Sequence, residues 1–525
     1  MKRRSFLGST ATALSAPFFL HGLAVRAYGR SPVLDALVAT PCEDRVLVLV
    51  QLQGGNDGLN TVIPLDQYSQ YLTVRSEIAV AENDAVRLRE DVGLHPAMTG
   101  MAELFTNGKL RIIQNVGYPV PNFSHFRSTD IWLTASDEDE TVDSGWMGRY
   151  LERRFEGYPT GFPNATMPDP LAIHIGTSAS FGLEGTRASM GMAFSDPSTY
   201  YNISNAGKPI GSSLGQRAQD ELRHIRSVGT QIANFAAPVK EASLRANNKS
   251  PLYPEGNSNP LANQLRIVAR LIAGGLRSKI YIVNQLGYDT HAYQATGGPG
   301  TPYPHGVLLA QLSEALTAFQ DDLRLLGIED KVLGMTFSEF GRRVVANGSA
   351  GTDHGAAAPM FFFGTTVEPG ILGDNPVIPV DASPEDNVPM QYDFRSVYRS
   401  ILTDWFCLPE ATAREVLFRE FSRVQIVRGS DVTSVFENLA NPAWKVSISP
   451  QPVSTTAEIT LVAPSGPITI SIFDSTGRRL AVTQSEHGGG VFHMTLDVTA
   501  LPSGRMTLNV AHSEGVVVHG FIVHK

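Results

Sequence analysis

The stretch RVLVLVQL, residues 45–52, runs straight into Gln53-Gly54-Gly55-Asn56-Asp57-Gly58. Six of these eight positions are Val or Leu and two glycines close the run, which predicts a strand buried on both faces, as in a parallel sheet. Similar runs recur at Leu110–Val116, Leu171–Ile175, Lys279–Leu286, Lys331–Phe337 and Pro359–Phe363. Helical patterns lie between them, at His95–Phe105, Gly145–Phe155, Leu214–Phe235, Asn263–Leu276 and His305–Leu326. This alternation predicts an α/β fold with a doubly wound, mostly parallel sheet and helices on both faces. Ligands of such sheets bind beyond the carboxyl ends of the strands. Residues 197–213 and 238–262, rich in Ser, Asn, Gly and Pro, read as loops or insertions.

The rest of the chain sets the bounds. With 525 residues, the length alone allows about three to four domains. Apolar residues are 42% and charged residues 18%, enough to bury a core. A net charge of −9 argues against a nucleic-acid partner. There are two cysteines, Cys42 and Cys407, which excludes a cysteine zinc site and a disulfide-rich scaffold and leaves one disulfide open. Any metal must rest on His, Asp, Glu or hydroxyl oxygen.

The N-terminus reads as an address. Lys2-Arg3-Arg4 precedes Ser5-Phe6-Leu7-Gly8 and a weakly apolar, uncharged run to about Val25. Residues 1–30 resemble a twin-arginine signal peptide with cleavage near Ala27. The run is too short and polar for a membrane anchor, and no other stretch is apolar enough to span, so the mature protein is expected to have no transmembrane segment. After about Asn441 the pattern changes to short alternating strands with turns at Asp474-Ser475-Thr476-Gly477 and Leu501-Pro502-Ser503-Gly504. That predicts a small all-β, immunoglobulin-like sandwich over 446–525.

The strand ends carry the candidate chemistry. Asp57 follows the first strand, either as a metal carboxylate or in an ordinary Asn-Asp-Gly turn. Ser124, His125 and Arg127 stand where a helix begins, so Ser124 is a cap or a nucleophile, with amides and Arg127 holding an anion. Asp289 and His291 lie two apart in an extended segment and face one way. Glu339, a candidate ligand, follows the next strand, ahead of an arginine pair of a kind that is more often a solvated charge run than an anion site. Asp353-His354, flanked by glycines, precedes an apolar strand and suits a metal. His95, His174 and His224 read as cap, core or surface residues, and His305 is ambiguous.

In that order, the residues resemble the domain-of-unknown-function 1501 family, a branch of the alkaline phosphatase and sulfatase superfamily, over residues 44–430. The resemblance rests on LQGGNDGLN (52–60), HP (95–96), GYPVPNFSHFRSTDIW (117–132), GWMGRYL (145–151), GYDTH (287–291), TFSEFGRR (336–343), GTDHG (351–355) and YDFRSVY (392–398). It implies Asp57 as a first metal carboxylate, Ser124 as nucleophile or hydroxyl ligand, Asp289 and His291 as one metal pair, and His354 as a last ligand. It places Glu339 where the superfamily has the Asp of an Asp-His pair. Phe340 stands where the superfamily has a further histidine ligand. A second metal would then have Asp57, Ser124 and Glu339, unless His125 or Asp353 completes it. The implied cofactor is a divalent ion (Zn, Ca, Mg or Mn), and the implied activity is hydrolysis of a sulfate or phosphate ester, small or on a polysaccharide. A non-catalytic polymer-binding protein on a degenerate hydrolase fold is the alternative.

The tail, 446–525, resembles a type IX secretion sorting domain through Ser449-Pro450-Gln451-Pro452-Val453, Ile470 to Arg478 and Leu501 to Gly504. The other reading is an adhesive or carbohydrate-binding sandwich. Together the two ends imply secretion-machinery partners, passage through the periplasm, and a secreted or cell-surface destination.

Overall fold

A computed structural model describes residues 18–20, 23–25, 42–197, 234–299, 303–429 and 445–525, apart from short connections in the last stretch. The twin-arginine pair, Ala27, most of the predicted helix at Leu214–Phe235 and the turn at 475–478 lie outside the described residues. Of residues 1–44, an antiparallel pair, Phe18–Leu20 with Leu23–Val25, and a short turn at Cys42–Asp44 are described.

The body is built on a nine-stranded sheet. Its strands are β1 (Val46–Gln53), β2 (Leu110–Gly117), β3 (Ala172–Ile175), β4 (Met192–Phe194), β5 (Ile280–Leu286), β6 (Val332–Phe337), β7 (Ala358–Phe363), β8 (Gly370–Leu372) and β9 (Tyr392–Asp393). Their order is β8-β2-β7-β6-β1-β5-β3-β4, with β9 also on β2. Only β7 runs antiparallel to its neighbours. The central strand β1 is buried along its length except at Gln53, which is why Val and Leu fill six of its eight positions.

The helices cover this sheet: α1 (Thr99–Thr106), α2 (His125–Thr134), α3 (Trp146–Arg154), α4 (Pro260–Ala273), α5 (His305–Leu326) and α6 (Phe394–Ser400). Helix α4 starts three residues before the predicted Asn263, because Asn259 accepts from the Ala262 N–H and Pro260 opens the first turn. Residues 238–262, expected as loop, are helical through residue 245. Phe235, Ala236, Val239 and Ala242 recur at helical spacing and are buried, a signal masked by the polar residues around them. Among the described residues, no helix is long and apolar enough to cross a membrane.

Several motif residues hold α2 in place rather than doing chemistry. Trp132 stacks on Phe394 at 4.4 Å, and Trp146 stacks on Tyr398 at 4.3 Å. Buried Arg395 pairs with Asp393 at 2.7 Å and with Asp137.

After residue 444, seven strands form two antiparallel sheets. The first is β10 (Lys445–Ser449), β11 (Thr456–Ala463) and β14 (Gly490–Asp497). The second is β13 (Arg479–His487), β12 (Gly466–Asp474), β15 (Gly504–His512) and β16 (Gly515–Val523). Ile459 and Leu461 of the first sheet share one apolar core with Ile468, Ile470, Ile472, Leu508 and Phe521 of the second.

Candidate metal centre

Register brings the candidate side chains to one edge. Gln53 of β1 pairs with Leu286 of β5, and Gln51 with Phe337 of β6, so these three strands end together. Val116, near the end of β2, pairs with Ala358, the first residue of β7. Because β7 runs the other way, its leading loop, not its trailing one, reaches this edge and carries His354. Gly54 (φ +124°) makes the crowding possible: a Cβ there would lie 2.3 Å from the Asp289 backbone nitrogen.

Among the described residues, His125, Asp289 and His354 form a group that could hold a metal ion, with one ligand atom from each all within 4.8 Å of one another. Asp289 is the hub. Its carboxylate lies 3.5 Å from His125 Nε2, 3.3 Å from His354 Nε2 and 3.2 Å from His291 Nε2. His291 and His354 bring their Nε2 atoms to 2.9 Å. The opposite nitrogen of each ring faces an acceptor oxygen. His125 Nδ1 is 2.8 Å from Glu339 Oε1, His354 Nδ1 is 2.7 Å from the Phe123 carbonyl, and His291 Nδ1 is 3.1 Å from Asp353 Oδ1. A carbonyl or carboxylate can only accept, so each Nδ1 carries a proton. The Nε2 atoms then face the Asp289 carboxylate, and an ion bound there would take their lone pairs in place of the Nε2–H contacts to Asp289. This is the wiring by which proteins orient imidazole ligands. Two imidazoles and one carboxylate, with the His291 ring beside them, fit a divalent metal ion.

Electrostatics follow from these contacts. Burial would raise the Asp289 carboxyl, but bonds from His291, His354 and Arg342 hold it far below the ordinary range. The bond to Glu339 raises His125, and the bond to Asp289 raises His291. Arg342, fully buried, donates to Asp289 at 2.8 Å, to the carbonyls of Gly55 and Thr352 at 2.7 Å each, and to that of Gly54.

The other predicted residues are placed as follows. Ser124 is exposed at the head of α2, and its hydroxyl makes no capping bond. Arg127 donates to the carbonyls of Asp137 at 2.8 Å and Glu140 at 2.5 Å, so its guanidinium ties down a loop. Asp57 is not in the group; it is buried on Arg75 and Gln294, each at 2.6 Å. Glu339 is buried as well and backs His125. Asp353 backs His291.

Phe340, expected from the family resemblance to replace a histidine ligand, is an apolar wall. Its ring centroid lies 4.9 Å from that of His125 and 4.5 Å from that of His354. Sequence reasoning missed Arg75, Gln294 and the structural weight of Arg342. Arg342 stood in a visible arginine pair, but nothing local marks which arginine is buried.

Imidazoles and a carboxylate gathered at the carboxyl edge of a mostly parallel sheet define a candidate metal centre on an α/β fold. The chain belongs to the family described as Protein of unknown function (DUF1501), whose model matches residues 44–396. No curated protein matches it in sequence. Among solved structures, it is similar to a protein in the alkaline phosphatase superfamily from Vibrio parahaemolyticus. That likeness has 10% identity and a TM-score of 0.33, covering 87% of this chain and 81% of that one. A putative sulfatase from Bacteroides thetaiotaomicron is similar at 9% identity and TM-score 0.28, covering 90% of this chain and 85% of that one. Dimeric latent PorU from Porphyromonas gingivalis is similar at 19% identity and TM-score 0.14, over 15% of this chain and 9% of that one.

Proposed function

We propose that this protein is an exported metal-dependent hydrolase of sulfate or phosphate esters. The observation that carries the reading is the common wiring of His125, His291 and His354. Each ring is protonated toward a backing oxygen and aims its other nitrogen toward Asp289. When bound, a divalent ion supplies Lewis-acid polarisation and stabilises charge on the ester oxygens.

The chain's own residues do the rest. His125, Asp289, His291 and His354 bind the ion. Glu339, Asp353 and the Phe123 carbonyl hold the imidazoles in their ligating tautomer. Ser124, with a free hydroxyl at the start of α2, would attack the sulfur or phosphorus as the bond to the alcohol oxygen breaks and the hydroxyl proton passes to that oxygen, and water would then cleave the seryl ester. The first turn of α2 has no side-chain cap, and its positive end favours the anionic ester. His125 thereby moves from the predicted catalytic set to the ligand set, and Arg127 serves to position the loop at 137–140.

The address is part of the proposal. The Arg3-Arg4 pair supports twin-arginine export into the periplasm. The sequences Asp474–Arg478 and Leu501–Gly504, in that succession, support a type IX sorting domain that delivers the protein outside the cell or to its surface. A polysaccharide ester is a fitting substrate for a protein so delivered.

The test is metal analysis of the purified full-length chain together with assays on aryl sulfate and aryl phosphate esters. Bound metal with metal-dependent turnover of either ester supports the reading. Bound metal without turnover of any ester would leave a binding protein on a hydrolase fold.

A further inference from the structure

We infer that the chain holds a single divalent ion, and that the buried guanidinium of Arg75 fills the place beside Asp57 that a second ion would need. The inference rests on the metal centre proposed above and concerns its stoichiometry. Asp57 stands where the family resemblance expects a metal carboxylate, but its surroundings do not fit one.

Oδ2 of Asp57 already takes Arg75 Nη1 and Gln294 Nε2, each at 2.6 Å. Arg75 is locked there. Its Nε donates to the Val344 carbonyl at 2.8 Å, and its Nη2 to that of Arg343 at 2.6 Å. Nη1 also reaches Asn60 Oδ1 at 3.1 Å. Both partners of the pair are fully buried. A divalent ion on Asp57 would sit against this fixed positive charge in a low-dielectric interior, where like charges repel strongly.

The other carboxylate expected at a second ion is also engaged. Glu339 Oε1 accepts from the Gly54 N–H at 2.8 Å and faces His125 Nδ1 at 2.8 Å. Oδ1 of Asp57 has no protein partner, and neither have Asn56 Nδ2 and His305 Nδ1. Of these atoms, Asn56 Nδ2 is an amide donor and cannot ligate a cation.

The charge balance agrees. Four carboxylates, Asp57, Asp289, Glu339 and Asp353, face two fully buried guanidiniums, Arg75 and Arg342. One divalent ion brings this group to neutrality. A second ion would leave a surplus of two positive charges.

The full-length chain, stripped with a chelator, is titrated with Co²⁺ and followed by visible absorption. Zinc content is measured separately after reloading and dialysis. One equivalent is expected for the wild type and for Asp57→Asn, and none for Asp289→Asn. Two equivalents in the wild type, falling to one in Asp57→Asn, would overturn the inference and leave the metal centre standing. Should Asp57→Asn fail to fold, the wild-type end point decides between one and two. No bound metal in the wild type would remove the metal centre itself, and this inference with it.

Discussion

Oε1 of Glu339 lies 2.8 Å from Nδ1 of His125, and that carboxylate is completely buried. It accepts the Gly54 N–H at the same time, so it cannot swing away without orphaning a backbone donor. Glu339 thus fixes which nitrogen of His125 is free to bind. Losing such a partner weakens metal affinity by about 10–100-fold. Glu339→Gln is expected to show a loss of that size in direct zinc titration. Unchanged affinity in a folded variant would strip Glu339 of this role.

Asp289 is the one carboxylate on which three imidazoles and Arg342 converge. Asp289→Asn leaves the Arg342 charge without its anion and removes the ionised ligand. Metal content is expected to fall to near zero, with the fold retained by circular dichroism. Stoichiometric metal in this variant would place the ion elsewhere.

Arg75 and Asp57 form a buried pair, and removing one partner of such a pair costs about 3–5 kcal/mol. Arg75→Met is expected to lower unfolding free energy by that amount in denaturant melts. The double variant Arg75→Met/Asp57→Leu should recover part of the loss, since no lone charge stays buried. A double variant no better than the sum of the singles contradicts the pairing.

Burial pushes His305 down to about 3 and His95 down to about 4, so both stay neutral in the folded state. In the unfolded chain each binds a proton near 6.5. The unfolded state therefore holds more protons between those values, and stability falls as pH drops from about 6.5 toward 4. At pH 4 the effect of His305 is roughly 3 kcal/mol. Thermal melts should show Tm declining across that window, with a shallower decline in His305→Gln. A Tm that is flat or rises on acidification would count against the buried neutral pair.

Ser124 carries an exposed hydroxyl with no capping role. Ser124→Ala should therefore leave metal content and Tm unchanged and reduce ester turnover on the order of a thousandfold or more. Turnover within a few-fold of wild type would exclude Ser124 as nucleophile.

Much of the body was legible because its signals are local. β1 is a run of buried β-branched and aliphatic residues, and α5 begins and ends at the predicted His305 and Leu326. His354 and Asp289 were legible because glycines mark a loop at a strand end. Partnering was not legible. Asp57 and Glu339 look like exposed strand-end acids in sequence, yet each is buried on a group that is 18 or 214 positions away, Arg75 and His125. The helix through residue 245 was missed because its four buried positions are diluted by polar neighbours.

By itself, the sequence determined the parallel β1 core, the strand-end placement of the acids and histidines, and the exclusion of thiolate metal chemistry, since two cysteines cannot build such a site. Only the tertiary structure decided which of those side chains meet. The reversed direction of β7 delivers His354 beside Asp289, and β6 delivers Glu339 behind His125. Arg75, reaching in from the turn after the helix Tyr68–Val74, claims Asp57. These are contacts between segments far apart in the chain. Nothing in local periodicity encodes them, because burial and pairing are properties of the packed whole.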